Sequence, residues 1–174
     1  MRDELNDIIN NLTKDIIDAY NIEIPIRNID DVVTTLGGRV EEDNDVYSSC
    51  IKRQNDGFVI YVSTYLMPER KYFAIAQELG HLFLHMGYTI SPLLWSKQKN
   101  MAYYISKSPL EEYQANEFAM ALLMPKFEYK NILDKYTTGD EVETGKIAEY
   151  FGVSVSAASA RGKDLGYLKW HTIN

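Results

Sequence analysis

The chain has 174 residues, 18 Lys plus Arg against 25 Asp plus Glu for a formal charge of −7, and 45 % hydrophobic residues. Those values exclude a disordered tail, a collagen-like repeat and a disulfide scaffold. They also argue against a chain-wide phosphate-binding surface, which calls for a basic domain or stripe.

At roughly 150 residues per domain the length reads as one domain with a small appendage. The lone cysteine, Cys50, cannot close an intramolecular disulfide and reads as a small buried hydrophobe in a reducing compartment. Met1-Arg2-Asp3-Glu4-Leu5 places acids where a signal peptide carries basic residues. No run approaches the roughly 20 apolar residues of a membrane span. The expectation is a soluble cytoplasmic protein without a membrane partner.

In chain order, Leu5, Ile8, Ile9, Leu12, Ile16, Ile17 and Tyr20 recur at spacings of three and four and predict an amphipathic helix. After Pro25, Asn28 is placed to cap a short helix that stops at Gly37-Gly38. The period then changes. Val46 to Lys52 and Phe58 to Ser63 are β-rich runs separated by Gln54-Asn55-Asp56-Gly57, a hairpin signal, so residues 39–63 predict a small antiparallel sheet. Pro68 suits the first turn of a long apolar helix reaching Met86 and ended by Gly87. Residues 88–107 lack a clean period and read as a long loop lying over a cleft. Ser108-Pro109 with Glu111 and Glu112 starts another helix, which runs to Pro125. A further helix covers Lys126 to Tyr136, and Thr137-Thr138-Gly139-Asp140 is a turn marking the start of a terminal helical subdomain.

The string richest in chemistry is Gln77-Glu78-Leu79-Gly80-His81-Leu82-Phe83-Leu84-His85. In a zinc-peptidase helix of pattern H-E-x-x-H, histidines at i and i+4 reach one metal from one face, and the glutamate acts as general base on the metal-bound water. A third protein ligand completes such a site and one position stays open. Here the pattern is Q-E-x-x-H, and only His81, His85 and His171 supply imidazoles.

Two strings carry a family resemblance. Glu78-Leu79-Gly80-His81 with His85 resembles the H-E-L-G-H-x-x-x-H helix of the ImmA/IrrE metallopeptidases without its leading histidine. Glu112-Tyr113-Gln114-Ala115-Asn116-Glu117-Phe118-Ala119-Met120-Ala121-Leu122-Leu123-Met124-Pro125 resembles that family's E-x-x-A-N-x-F-A-x-x-L-L-M-P helix. The resemblance implies an α+β, mainly helical fold: a zincin-like core over residues 1–138 and a helix-turn-helix-like subdomain over 139–174. It implies Glu78 as general base, His81 and Glu112 as zinc ligands, and a protein partner such as the repressor-like transcription regulator of a mobile genetic element.

Gln77 departs from the family pattern at the first ligand. A glutamine carbonyl is a neutral oxygen donor and a poor substitute for imidazole at zinc. Three readings stand: a metal-free pseudo-peptidase that binds its partner, a zinc site adapted through Gln77 or His85, and an allele altered at this one position. Around them, His85 also reads as a hydrogen-bonded core residue, Gly80 as a close-packing position, Glu111 as a first-turn acid facing the helix dipole, and Phe118, Met120 and Met124 as core.

Ile147 to Arg161 resembles a helix-turn-helix in which Gly152 ends one helix and Ser154 caps the next. Arg161 and Lys163 are the residues that such a module would offer to DNA. Local acids oppose them, so packing on the core is the favoured role and DNA a minor reading.

Overall fold

Ile9, Ile16 and Ile17 are buried on one side of the first helix, α1 (Arg2–Ala19), while Ile8 of the same periodic set faces outward. The computed structural model describes residues 2–46, 49–98 and 108–169. Asn28 caps α2 (Ile29–Thr35) by accepting from the Asp30 N–H. Ile29, Val32 and Val33 then bury the face of α2 that meets the core.

The sheet contains β1 (Gly38–Asp43), β2 (Cys50–Gln54) and β3 (Gly57–Ser63) in the order β1-β3-β2. The expected hairpin forms between β2 and β3, with Gln54 opposite Gly57 and Asn55 in the left-handed region at φ 51°. The sheet as a whole is mixed, because β1 pairs parallel to β3. The turn signal at residues 54–57 sets only the local pairing. The chain between β1 and β2 crosses over, leaving β3 in the middle, where Phe58, Val59, Ile60 and Val62 are buried.

α3 (Pro68–Leu84) begins with proline in its first turn and ends at His85. The expected loop that follows contains a helical turn and a half, α4 (Pro92–Lys97), capped by Ser91 and held by Arg53, which bonds the Trp95 carbonyl and lies over its ring. Residues 99–107, the rest of that expected loop, fall outside the described residues. α5 (Pro109–Leu123) opens with a capping box: Ser108 Oγ accepts from the Glu111 N–H and the Glu111 carboxylate accepts from the Ser108 N–H.

α3 and α5 form the central pair, and Gly80 is where they touch. A Cβ there would lie 2.9 Å from the Ala115 Cα and 3.0 Å from its carbonyl oxygen, so a larger residue would push the helices apart. Around this crossing Leu79, Leu82, Phe83, Phe118 and Leu122 join α1, α2 and the sheet in one apolar core.

A second core begins at Met124 and is shared by α6 (Lys126–Lys135), α7 (Thr144–Phe151) and α8 (Val155–Asp164), with Tyr129 and Phe151 stacked at 6.0 Å. Between α6 and α7 lies a minimal hairpin of β4 (Thr137–Thr138) and β5 (Glu141–Val142). Gly152 ends α7 in the left-handed region at φ 68°, and Ser154 caps α8 by accepting from the Ala157 N–H.

Arg161 must be reassigned. It is 1 % exposed, and its guanidinium donates to the Met124 carbonyl at 3.1 Å and to Asn10 Oδ1 at 2.6 Å. Burial pulls its pKa down to about 10, still charged at neutral pH. A side chain committed in this way joins α8 to α1 and α5 and has nothing to offer DNA. Lys163, the other residue offered to DNA, is half-buried. Among the described residues no helix is long and apolar enough to cross a membrane.

Candidate functional site

The α3–α5 crossing brings together five of the chemistry-bearing side chains. Gln77, Glu78 and His81 come from α3, His85 from the cap at its end, and Glu112 from the first turn of α5. Glu78 and His81 are fully buried, whereas the Glu112 side chain is 37 % exposed, so the site is solid beneath and open above. Glu112 also sits in the first turn of α5, at the positive end of the helix dipole.

Gln77 Nε2 donates to Glu112 Oε2 at 2.8 Å. His81 Nε2 lies 3.6 Å from the other oxygen of Glu112. The opposite ring atom, His81 Nδ1, is 2.9 Å from His85 Nδ1, and His85 Nε2 is 3.0 Å from Gln114 Oε1. His85 therefore meets His81 on the side of the ring turned away from Glu112. Beneath them Ser49 Oγ donates to Glu78 Oε1 at 2.8 Å.

Ser49 and Gln114 were not legible as site residues. Ser49 precedes β2 and has no motif around it, and its place beside Glu78 comes from a contact across 29 residues. Gln114 lies inside the second family-like string, yet nothing in the string says which face meets His85.

Beside Gln77 the surface opens into a cleft of about 710 Å³. Met67 and Phe73 at the start of α3, Met120 and Leu123 on α5 and Val153 in the α7–α8 turn form its walls. Methionine side chains are flexible and polarisable, and they accommodate varied apolar partners.

Mainly helical α+β architecture, with a central helix pair that carries a glutamate and a histidine one turn apart and an acid on the facing helix, defines a metallopeptidase-like class. The chain belongs to the IrrE N-terminal-like domain family, a peptidase family whose profile matches residues 40–163. Among solved structures the fold is similar to a Mycobacterium tuberculosis transcriptional regulator, with 17 % identity and a TM-score of 0.54 over 91 % of this chain and 50 % of that one. This chain thus spans half the length of that regulator. No curated protein matches the chain.

Members of the family are typically zinc-dependent, so the donors here must be tested against zinc. A catalytic zinc takes three protein ligands of nitrogen, sulfur or carboxylate type and leaves one position open. The mouth of this site presents one imidazole, one carboxylate and one carboxamide, and the carboxamide N–H is already given to the carboxylate. Among the described residues no group of three His, Cys, Asp or Glu side chains is arranged to hold a metal ion. The donor set does not fit the family's metal.

Proposed function

We propose that the protein is a metallopeptidase-like regulatory protein that recognises a protein partner without needing zinc. The observation that supports this most directly is the hydrogen bond from Gln77 to Glu112. The carboxylate that would serve a metal is already taken up by a neutral amide one turn from His81. The chemistry left at the mouth is recognition: a half-exposed carboxylate, an amide, and an apolar cleft beside them large enough for a peptide segment.

The helix-turn-helix-like subdomain proposed for residues 139–174 then closes one side of the cleft through Val153 and Ala157 at the α7–α8 junction. The partner class is a repressor-like transcription regulator, such as the repressor of a mobile genetic element, as the family membership favours. Burial of Arg161 counts against residues 155–164 reading DNA, which supports a protein as the proposed partner. The competing reading is hydrolysis at an adapted site, with Glu78 as base, His81 and Glu112 as ligands, and Gln77 or His85 completing the set. The direction in which His85 faces disfavours it as that ligand.

Two measurements decide between them. Purified chain exposed to excess zinc and then desalted is expected to retain substoichiometric metal. It is also expected to hold a repressor-like regulator from the same genome intact, with chelator making no difference, and Met120→Lys in the cleft wall is expected to release it. Stoichiometric zinc that is lost on His81→Ala or Glu112→Ala, or chelator-sensitive cutting of the regulator, overturns the proposal.

A further inference from the structure

His81 is held from one side by a directed relay. Gln114 Oε1 can only accept, so the Nε2–H of His85 points to it at 3.0 Å. An uncharged His85 ring that donates there carries its lone pair on Nδ1, 2.9 Å from His81 Nδ1, which is then the donor of the pair. In that arrangement His81 carries its lone pair on Nε2, the atom 3.6 Å from Glu112 Oε1. A metal-binding histidine is oriented in this way: a neutral ring, a lone pair toward the metal, and the other N–H given to an acceptor that fixes the ring.

On its other side the site has a bridge that needs no metal. The Gln77–Glu112 hydrogen bond ties α3 to α5 at the point where a shared ion would tie them. Gly80 lets the two helices approach closely next to that bond.

We propose that this chain is one residue short of a zinc site: Gln77 replaces the ion as the α3–α5 bridge, while Gln114 and His85 still orient His81 as a ligand. His85 is a positioning residue and not a ligand. The inference rests on the metal-free reading of the native site, and it goes further in assigning roles to Gln77, His85 and Gln114.

The test uses the full chain and cobalt(II), whose tetrahedral complexes absorb visible light, with zinc as the displacing ion. Gln77→His is expected to bind one equivalent of cobalt, displaced by zinc, while the native chain and Gln77→Ala bind none. Adding His85→Ala to Gln77→His is expected to weaken zinc binding roughly 10–100-fold, and His85→Gln, which keeps an acceptor, to recover part of that loss. In the native chain, the ¹⁵N shifts of His81 are expected to show a protonated Nδ1 and a bare Nε2, a pattern that His85→Ala abolishes.

A folded Gln77→His variant that takes up no cobalt, or zinc affinity indifferent to His85, overturns the inference and leaves partner recognition standing. If Gln77→His does not fold, the His81 tautomer in the native chain decides. A protonated Nε2 there overturns the relay. Stoichiometric zinc in the unmodified chain overturns the metal-free reading instead, so the two failures are distinct.

Discussion

The two ends of α5 hold polar side chains in opposite settings, one open and one sealed. At its N-terminal end Glu112 is half-exposed and meets Gln77 and His81 at the mouth of a cleft. At its C-terminal end the Met124 carbonyl is taken by Arg161, which is sealed from water and also bonds Asn10. Both arrangements obey the helix dipole, with acids at the positive end and a cation at the negative end. Only the first leaves a polar group within reach of another molecule. The comparison teaches that charge at a helix end does not identify function; access does.

The comparison is broken most severely at the sealed end. Arg161→Ala takes the donor from the Met124 carbonyl and Asn10 Oδ1 and removes a buried side chain, and is expected to cost about 2–4 kcal/mol in urea unfolding. If Arg161 were instead an exposed DNA contact, the same change would stay within about 0.5 kcal/mol.

On α3, facing the middle of α5, Gly80→Ala drives a methyl group into the Ala115 backbone and is expected to cost about 1–3 kcal/mol by the same measurement, as overpacking does. A smaller loss would mean that the helices can separate without harm.

Tyr129 sharpens the sealed end. Its hydroxyl donates to the Ala158 carbonyl at 2.7 Å, and burial pushes its pKa up to about 12. Tyr129→Phe removes that hydrogen bond and is expected to cost about 1–1.5 kcal/mol at neutral pH. The sign with pH follows from linkage. Between pH 10 and 12 the unfolded phenol has released its proton while the native one keeps it, so stability falls as pH rises through that window. Tyr72, also raised to about 12 by burial, contributes in the same direction. Tyr129→Phe is therefore expected to flatten the alkaline decline, measured as urea midpoints across that range.

The smallest effect is expected at the open end. Gln77→Ala deletes one hydrogen bond to a half-exposed acceptor and is expected to lower stability by about 1 kcal/mol. Water can replace the lost donor there, as it cannot around Arg161. A loss as large as that of Arg161→Ala would erase the contrast between the two ends.

Much of this molecule was legible from local chemistry. The capping box at Ser108 and Glu111, the Asn28 cap, the turn at residues 54–57 and the Gly152–Ser154 junction all rest on groups a few residues apart. Periodicity identified α1 and α3, the start signal at Ser108-Pro109 with Glu111 and Glu112 identified α5, and two strings pointed to the family to which the chain belongs. The parallel pairing of β1 was not legible, because no nearby residue states on which side of β3 it lands. Neither was α4, whose six residues are too few to carry a period.

The division falls along contact range. By itself the sequence determined the helices other than α4, the hairpin, the family and the presence of glutamine at position 77, all of which depend on residue type and short spacing. Only the tertiary structure decided what those residues touch. It turned the Gln77 amide to Glu112, set His85 and Gln114 behind His81, brought Ser49 to Glu78 and buried Arg161. Those partners come from different elements brought together by packing of the core, and a spacing rule along one helix carries no information about the face that another helix presents.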